Sequence, residues 1–402
     1  MNGLNGNTEL VYSAIKKFED VFGSSDYCSI MISPASLILL GDHTHYNEGV
    51  LLSLCANRYW VNILRKRKDK LVCIASADSD RFFSTTLEKI NNYDGEEFRL
   101  IRGLTKSLYD QELINYGFDC VIASNVPDCF GLGSLAGMQI SFVNNIKKVF
   151  SLSEDDNILF DSIRKNELNI IGKFSNIAHH ITTQYGKEGK FLHTDLRHKT
   201  HSQINLGDRN FNLVICDTNE SINAPQALCN ERVEECEIGV KGLRLYIWGI
   251  KNLRDVEAEF LLRHYHMLPR KIFNRVLYNV NERKRSEAAI KFLKKNQFED
   301  FGVLVTESHW GLSNDFEIAN DNTNFIVTEA VKLPGVLCSK MISCSPIKSV
   351  FNIVEEKLTD NFIEQMSKVY QNKFHRELTF HNLKITHGVR KISSKELLTH
   401  TN

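Results

Sequence analysis

Proline is scarce in this sequence, with six among 402 residues, and no segment is of low complexity. Long disordered arms are therefore not expected. Neither sign of charge is in excess, since 49 Lys and Arg face 49 Asp and Glu. A balanced chain is not built for broad nucleic-acid or acidic-membrane binding. Long apolar runs are missing as well. The most apolar stretch, Cys28 to Gly41, is interrupted by Ser33 and Pro34 and falls short of the ~20 residues that a bilayer span needs. Met1 to Asn7 lacks the basic-then-apolar profile of a secretory leader. The ten cysteines include no Cys-x-x-Cys pair, so they suggest neither a zinc site nor a disulfide scaffold and read as buried thiols. The expectation is a cytoplasmic protein with neither a membrane nor a nucleic acid as partner.

What is present is an ordinary folded composition, 42% hydrophobic and 24% charged, long enough for two or three domains at roughly 150 residues each. Apolar periodicity predicts helix over Leu10 to Phe22, strands over Ile30–Leu40 and Leu51–Leu64, and a strand at Asp119–Ala123 leading into a Pro/Gly loop and a helix to Val149. Helices are predicted over Asp161–Ile171, Ile177–Tyr185, Asn230–Val240, Val256–His266 and Ile272–Lys295, with a strand at Leu213–Cys216. A strand–helix–strand unit closes the chain at Ser349–Val354, Asp360–Lys373 and Leu378–Ile385. The polar segment Gly207–Asn210 marks the expected boundary, giving domains 1–209 and 210–390 and a polar tail 391–402. The basic run Arg65–Lys68 fits a hairpin turn better than a nucleic-acid patch.

Four segments carry chemistry. In Ser33 to Gly49 an apolar strand runs into a turn holding Asp42, His43, His45 and Tyr46, a common way to present ligand contacts from a rigid scaffold. In Asn125 to Gly137 a strand, a glycine loop (Gly131, Leu132, Gly133, Ser134, Leu135) and a helix follow one another. Such a loop either cradles a phosphate on free amides or makes a tight turn, and spacing alone leaves both readings open. The other two segments are Glu307–Glu317 and Ser339–Lys348.

In this order the segments resemble galactokinases of the GHMP small-molecule kinase family. Ser33 to Asn47 resembles the signature Ala-Pro-Gly-Arg-Val-Asn-Leu-Ile-Gly-Glu-His-Thr-Asp-Tyr-Asn, and the glycine loop resembles Pro-x-x-x-Gly-Leu-Ser-Ser-Ser-Ala. Glu307–Glu317 resembles Glu-Ser-His-x-Ser-Leu-Arg-Asp-Asp-Phe-Glu, and Pro334–Met341 stands where the family has Gly-Ala-Arg-Met. Asn230, Arg232, Cys236 and Glu237 are similar to Tyr-Asn-x-Arg-Arg-x-x-Cys-Glu. The resemblance spans Pro34 to Lys391. It implies an α/β (α+β) GHMP-kinase-like fold, with an N-terminal α/β domain, a C-terminal ferredoxin-like α/β domain and the site in the cleft between them.

The resemblance also shows where this sequence departs. The family Arg that contacts the γ-phosphate and supports the catalytic Asp is Ser36 here, and the catalytic Asp position holds His179. The loop Ser that helps hold magnesium is Leu135, which offers no oxygen ligand, whereas the magnesium-holding Glu is retained as Glu167. The glycine-rich third motif becomes Ser343, Cys344, Ser345 and Pro346, side chains where bare backbone should approach phosphates. Around the sugar, His43 is retained, while the family Glu is Asp42, its Asp is His45 and a Tyr is Cys229. Any one such loss costs about 10²–10³ in rate. The expectation is a galactokinase-like pseudokinase, a regulatory module binding a sugar-like small molecule or a protein partner, with no cofactor. The alternatives are an atypical sugar kinase acting on a sugar other than galactose with ATP and Mg, with Lys66, Arg67 or Lys348 replacing the missing cation, and an enzyme using a transition metal on His43, His45, His179 and Asp42.

Overall fold

A computed structural model of the chain describes residues 5–90, 95–127, 131–153, 155–170, 172, 175–207, 209–221, 225–343, 345 and 347–393. Its strands are β1 (Ser29–Leu40), β2 (Val50–Lys66), β3 (Leu71–Ser76), β4 (Phe82–Thr86), β5 (Phe118–Ser124), β6 (Lys190–Asp195), β7 (Thr200–Asn205), β8 (Phe211–Ser221), β9 (Val336–Met341), β10 (Ile347–Glu355), β11 (Thr379–Leu383) and β12 (Arg390–Lys391). Helices α1 (Asn5–Phe22), α2 (Arg99–Asp110), α3 (Ser134–Val149), α4 (Asp156–Ile170) and α5 (Ile177–Tyr185) pack with the first seven strands. Helices α6 (Pro225–Leu243), α7 (Ala258–Arg263), α8 (Arg270–Lys294), α9 (Phe298–Asn314), α10 (Asp321–Ala330) and α11 (Thr359–Phe374) follow.

Two sheets result. The larger runs β12-β1-β2-β5-β3-β4, with β6 and β7 continuing from the other part of the long β2, and the smaller runs β11-β8-β10-β9. All pairings are antiparallel except β3 with β5. The expected α/β class is the observed one.

All twelve residues of β1 are buried, as a near-continuous apolar run between two packed layers requires. Pro34 fits inside it because the β1–β2 register shifts between Pro34 and Ala35, where the missing N–H is tolerated. Helix α1 places Leu10, Val11, Ala14 and Phe18 on one face against Val61, Ile63 and Val121 of the sheet. The two sheets meet in one apolar cluster that joins Leu37, Leu39 and Leu40 to Leu213, Ile215, Ala289, Phe301 and Phe351. This seam fixes β1 against α8, α9 and the second sheet.

Three expectations are corrected. Val256–His266 is not one helix: α7 covers Ala258–Arg263 between two short 3-10 turns, because the Asn252/Asp255 capping box closes the turn before it and His264 leaves helical geometry after it. Arg65–Lys68 ends β2 without forming a hairpin, since β5 lies between β2 and β3, and Arg65 and Arg67 are tied to the buried Asp119. Residues 391–393 are no tail: Lys391 pairs with Met31 and Ile392 packs in the first layer. Residues 394–402 lie outside the described residues.

Candidate functional site

The β1–β2 connection is built around a left-handed turn. Gly41 has φ +91, and a Cβ there would meet the Val50 carbonyl oxygen at 2.5 Å, so only glycine fits. Its N–H donates to Glu282 Oε1 on α8 at 2.8 Å. The same carboxylate accepts from Ser308 Oγ at 2.7 Å and from Arg285 Nε at 2.8 Å. Lys340 of β9, with no solvent exposure, lies 2.9 Å from Asp42 Oδ2 and 4.0 Å from Glu282 Oε1, and donates to the Leu39 carbonyl at 3.0 Å. Buried charge is tolerated when paired and hydrogen-bonded in this way.

Beyond the turn, the glycine loop folds back on β1. The Ser36 N–H donates to the Leu132 carbonyl at 2.8 Å, and Gly131 and Gly133 both have positive φ. A Cβ on Gly133 would meet Ser36 Oγ at 2.3 Å and His179 Nδ1 at 2.7 Å. Helix α3 starts at Ser134, whose Oγ accepts from Trp60 Nε1 at 3.2 Å. Helix α5 is capped by Asn176, which accepts from the Ala178 N–H, and it holds His179 Nδ1 3.0 Å from Ser36 Oγ. Burial, only partly opposed by Asp42, pushes the His179 pKa down to about 4, so the imidazole is neutral near pH 7.

These elements surround a cavity of about 390 Å³. Its walls include Leu37, Ile38, Asp42, Gly131, Gly133, Ser134, Leu135, Glu167, His179, Cys229 and Ser343. The cluster expected from the sequence is thus brought together in part. His43, His45 and Tyr46 do not line the cavity. His43 has φ +58, and this turn sends its ring beneath the site, 4.7 Å from the Phe316 ring and within 3.3 Å of the Tyr46 hydroxyl. Burial, reinforced by Arg232 and Lys340, pushes the His43 pKa down to about 3. Among the described residues no group of three or more His, Cys, Asp or Glu is arranged to hold a metal ion, so the proposed transition-metal set His43, His45, His179 and Asp42 does not converge.

Leu132 is core rather than lining. Ser345 is buried, while Cys344 and Pro346 lie outside the described residues. Among the described residues seven cysteines carry free thiols. Cys229 stands at the cavity wall.

Glu167 stands where the resemblance places a magnesium-holding carboxylate. Its carboxylate already accepts from Gln139 Nε2 at 2.6 Å and Ser175 Oγ at 2.5 Å, and it lies 3.2 Å from His180 Nε2. Burial raises its pKa, but His180 and these hydrogen bonds outweigh that and hold it down at about 2. Ser134 Oγ is taken by Trp60, Leu135 has no donor oxygen and Asp42 is paired with Lys340. A hard cation needs several oxygen ligands, and Leu135 supplies none where the resemblance expects a serine hydroxyl. The three candidate replacement cations are also engaged elsewhere. Lys66 lies over the Tyr116 and Phe150 rings, Arg67 pairs with Asp69 and Asp119, and Lys348 donates to the Ile318 carbonyl at 2.7 Å.

Residues 16–66, which hold this turn and strand pair, match the galactokinase galactose-binding signature. Over nearly the whole chain the sequence is similar to galactokinases. It is 27% identical to that of Chloroflexus aggregans, with 92% of this chain and 93% of that one covered. For the galactokinase of Fusobacterium nucleatum the identity is 26%, with 95% and 100% covered. The fold matches a Lactococcus lactis galactokinase complexed with galactose at a TM-score of 0.89 and 23% identity, covering 95% of this chain and all of that one. The chain is galactokinase-like in sequence and in fold. A mevalonate kinase from Methanococcus jannaschii shares the fold more distantly, at a TM-score of 0.61 and 17% identity.

Within this galactokinase-like chain the sequence missed Lys340 and Glu282, which hold the turn, and Asn176, Pro225, Gln226 and Ile342 on the cavity wall. Lys340 had one legible signal, its place in the Gly-Ala-Arg-Met position of the resemblance. Asp195 and Arg197 lie in an ion-pair set with Arg254, Glu48 and Asp255 away from the cavity wall.

Proposed function

We propose that this galactokinase-like chain binds a sugar-like small molecule in the cavity and does not transfer phosphate to it efficiently. On this reading it is a pseudokinase serving as a sensor or regulatory module, formed by two units that divide near residue 209. One observation carries the proposal: Ser36 and His179 hydrogen-bond at 3.0 Å where the family resemblance expects a phosphate-binding Arg and a catalytic Asp. A serine–neutral-imidazole pair offers neither a cation for a phosphoryl group nor a fixed carboxylate. The galactose-binding signature at residues 16–66 and the galactose held by the Lactococcus lactis neighbour support a sugar as the ligand class.

The names of the relatives favour a second reading, an active sugar kinase, which would need ATP and magnesium. A coupled assay for ADP release with ATP, magnesium and galactose, run beside calorimetric titration with ATP, separates the two. The expected outcome is no ADP above the rate without protein and no heat from ATP. Galactose-dependent ADP release above that background overturns the proposal.

A further inference from the structure

The charges around the cavity say what kind of ligand it accepts. Among the described residues no Lys or Arg lines it. Its two carboxylates, Asp42 and Glu167, are matched from behind by Lys340 and by the donors on Glu167, and His179 is held neutral. The start of α3 adds a partial positive charge of about half an elementary unit, too little to turn two carboxylates and one ammonium into an anion site. A phosphate monoester would bring about two negative charges to walls whose described residues include no cation to meet them.

The same walls are strongly apolar beside the glycine loop. Leu135 and Ala136 begin α3, Pro225 begins α6, and Ile342 leaves β9 against Gly131. Asp42, Asn176, Gln226 and His179 supply the polar contacts. A largely apolar pocket with a few converging polar groups suits a small ligand of the same mixed character.

We infer that the cavity takes an uncharged glycoside, its sugar hydroxyls on Asp42, Asn176 and His179 and its apolar substituent against Leu135, Pro225 and Ile342, where a kinase would receive phosphates. This rests on the sugar-binding reading above and specifies its ligand. Binding by such a ligand gains from apolar burial, and the hydroxyls pair with polar groups already present.

Calorimetric titration of the full chain tests it with four probes: galactose, phenyl α-galactoside, phenyl β-galactoside and galactose 1-phosphate. At least one phenyl galactoside is expected to bind about tenfold more tightly than galactose, with the 1-phosphate the weakest of the four. Leu135 is 45% exposed, so Leu135→Lys leaves the core intact; it is expected to weaken the phenyl galactoside and strengthen the 1-phosphate. Equal or tighter binding of the 1-phosphate, or no gain from the phenyl group, overturns the inference. If no sugar binds and ATP is also silent, the inference falls while the absence of phosphoryl transfer stands. Galactose-dependent ADP release would instead overturn the reading on which it rests.

Discussion

At Lys340 a fully buried ammonium lies 2.9 Å from Asp42 and 4.0 Å from Glu282, and it also donates to the Leu39 carbonyl. Removing that cation would leave two carboxylates facing one another in the interior, a worse situation than losing the whole cluster. Lys340→Met is therefore expected to destabilise the protein by about 3–5 kcal/mol in urea unfolding, and adding Asp42→Asn should restore part of the loss. A loss below about 1 kcal/mol would mean that water reaches the cluster and screens it. The cluster also shows what single residues reveal in sequence. Asp42, Glu167 and His179 were legible because each stands at a fixed position in a short motif, and all three line the cavity. Lys340 and Glu282 were not, because their partners lie hundreds of positions away and no local pattern marks such a pair. His43, His45 and Tyr46 were misplaced for a different reason. Adjacency in sequence suggested a shared wall, but the positive φ at His43 turns that ring under the turn to Phe316.

The glycine loop shows how one element depends on its neighbours. Gly133 combines φ +61 with a virtual Cβ 2.3 Å from Ser36 Oγ and 2.7 Å from His179 Nδ1. Gly133→Ala pays for both a left-handed backbone and a collision, on the order of 1–3 kcal/mol in stability, and it separates Ser36 from His179. The expected outcome is a lower urea midpoint together with loss of sugar binding; an alanine variant with the parent's midpoint would show that the loop is free to move off β1. Elements of this kind were readable where periodicity is long and clean. Helix α5 was read at Ile177–Tyr185 and is found there, and α1, β1, β2 and β5 lie within a few residues of their expected places. The short strands β3, β4, β6 and β7 were not read. Each is five or six residues long, too short for alternation to stand out, and β7 buries only one residue fully. Helix α7 was overextended because the apolar residues from Val256 to Leu268 serve one core through three different backbone conformations. The overall architecture came through because the order of the motifs, rather than any one of them, identifies the fold.

At the scale of the whole molecule, several buried groups tie stability to pH. His43 and His309 are both buried, and burial foremost pushes the pKa of each down to about 3; His309 Nδ1 accepts from the Met341 N–H at 3.3 Å, which also favours its neutral form. An unfolded histidine titrates near 6.5, so as pH falls below that value the unfolded chain takes up protons that the folded chain refuses. Stability from these neutral rings is complete above about pH 6.5 and is lost progressively toward pH 3, at about 1.4 kcal/mol per pH unit for each fully titrated proton. His179, held at about 4, adds to the slope over the upper part of that window. Glu167 acts lower down, because its folded value near 2 makes its contribution drain only as pH falls below its ordinary range near 4.5. Urea unfolding at pH 7.0, 6.0 and 5.0 should therefore show a falling midpoint before carboxylates titrate. His43→Phe, whose ring can pack on Phe316, should reduce the slope between pH 6 and 5 by about one proton whatever it does to absolute stability. A slope left unchanged by that variant would mean that His43 is protonated in the folded chain, and its place beneath the turn, beside Arg232 and Lys340, would have to be reconsidered.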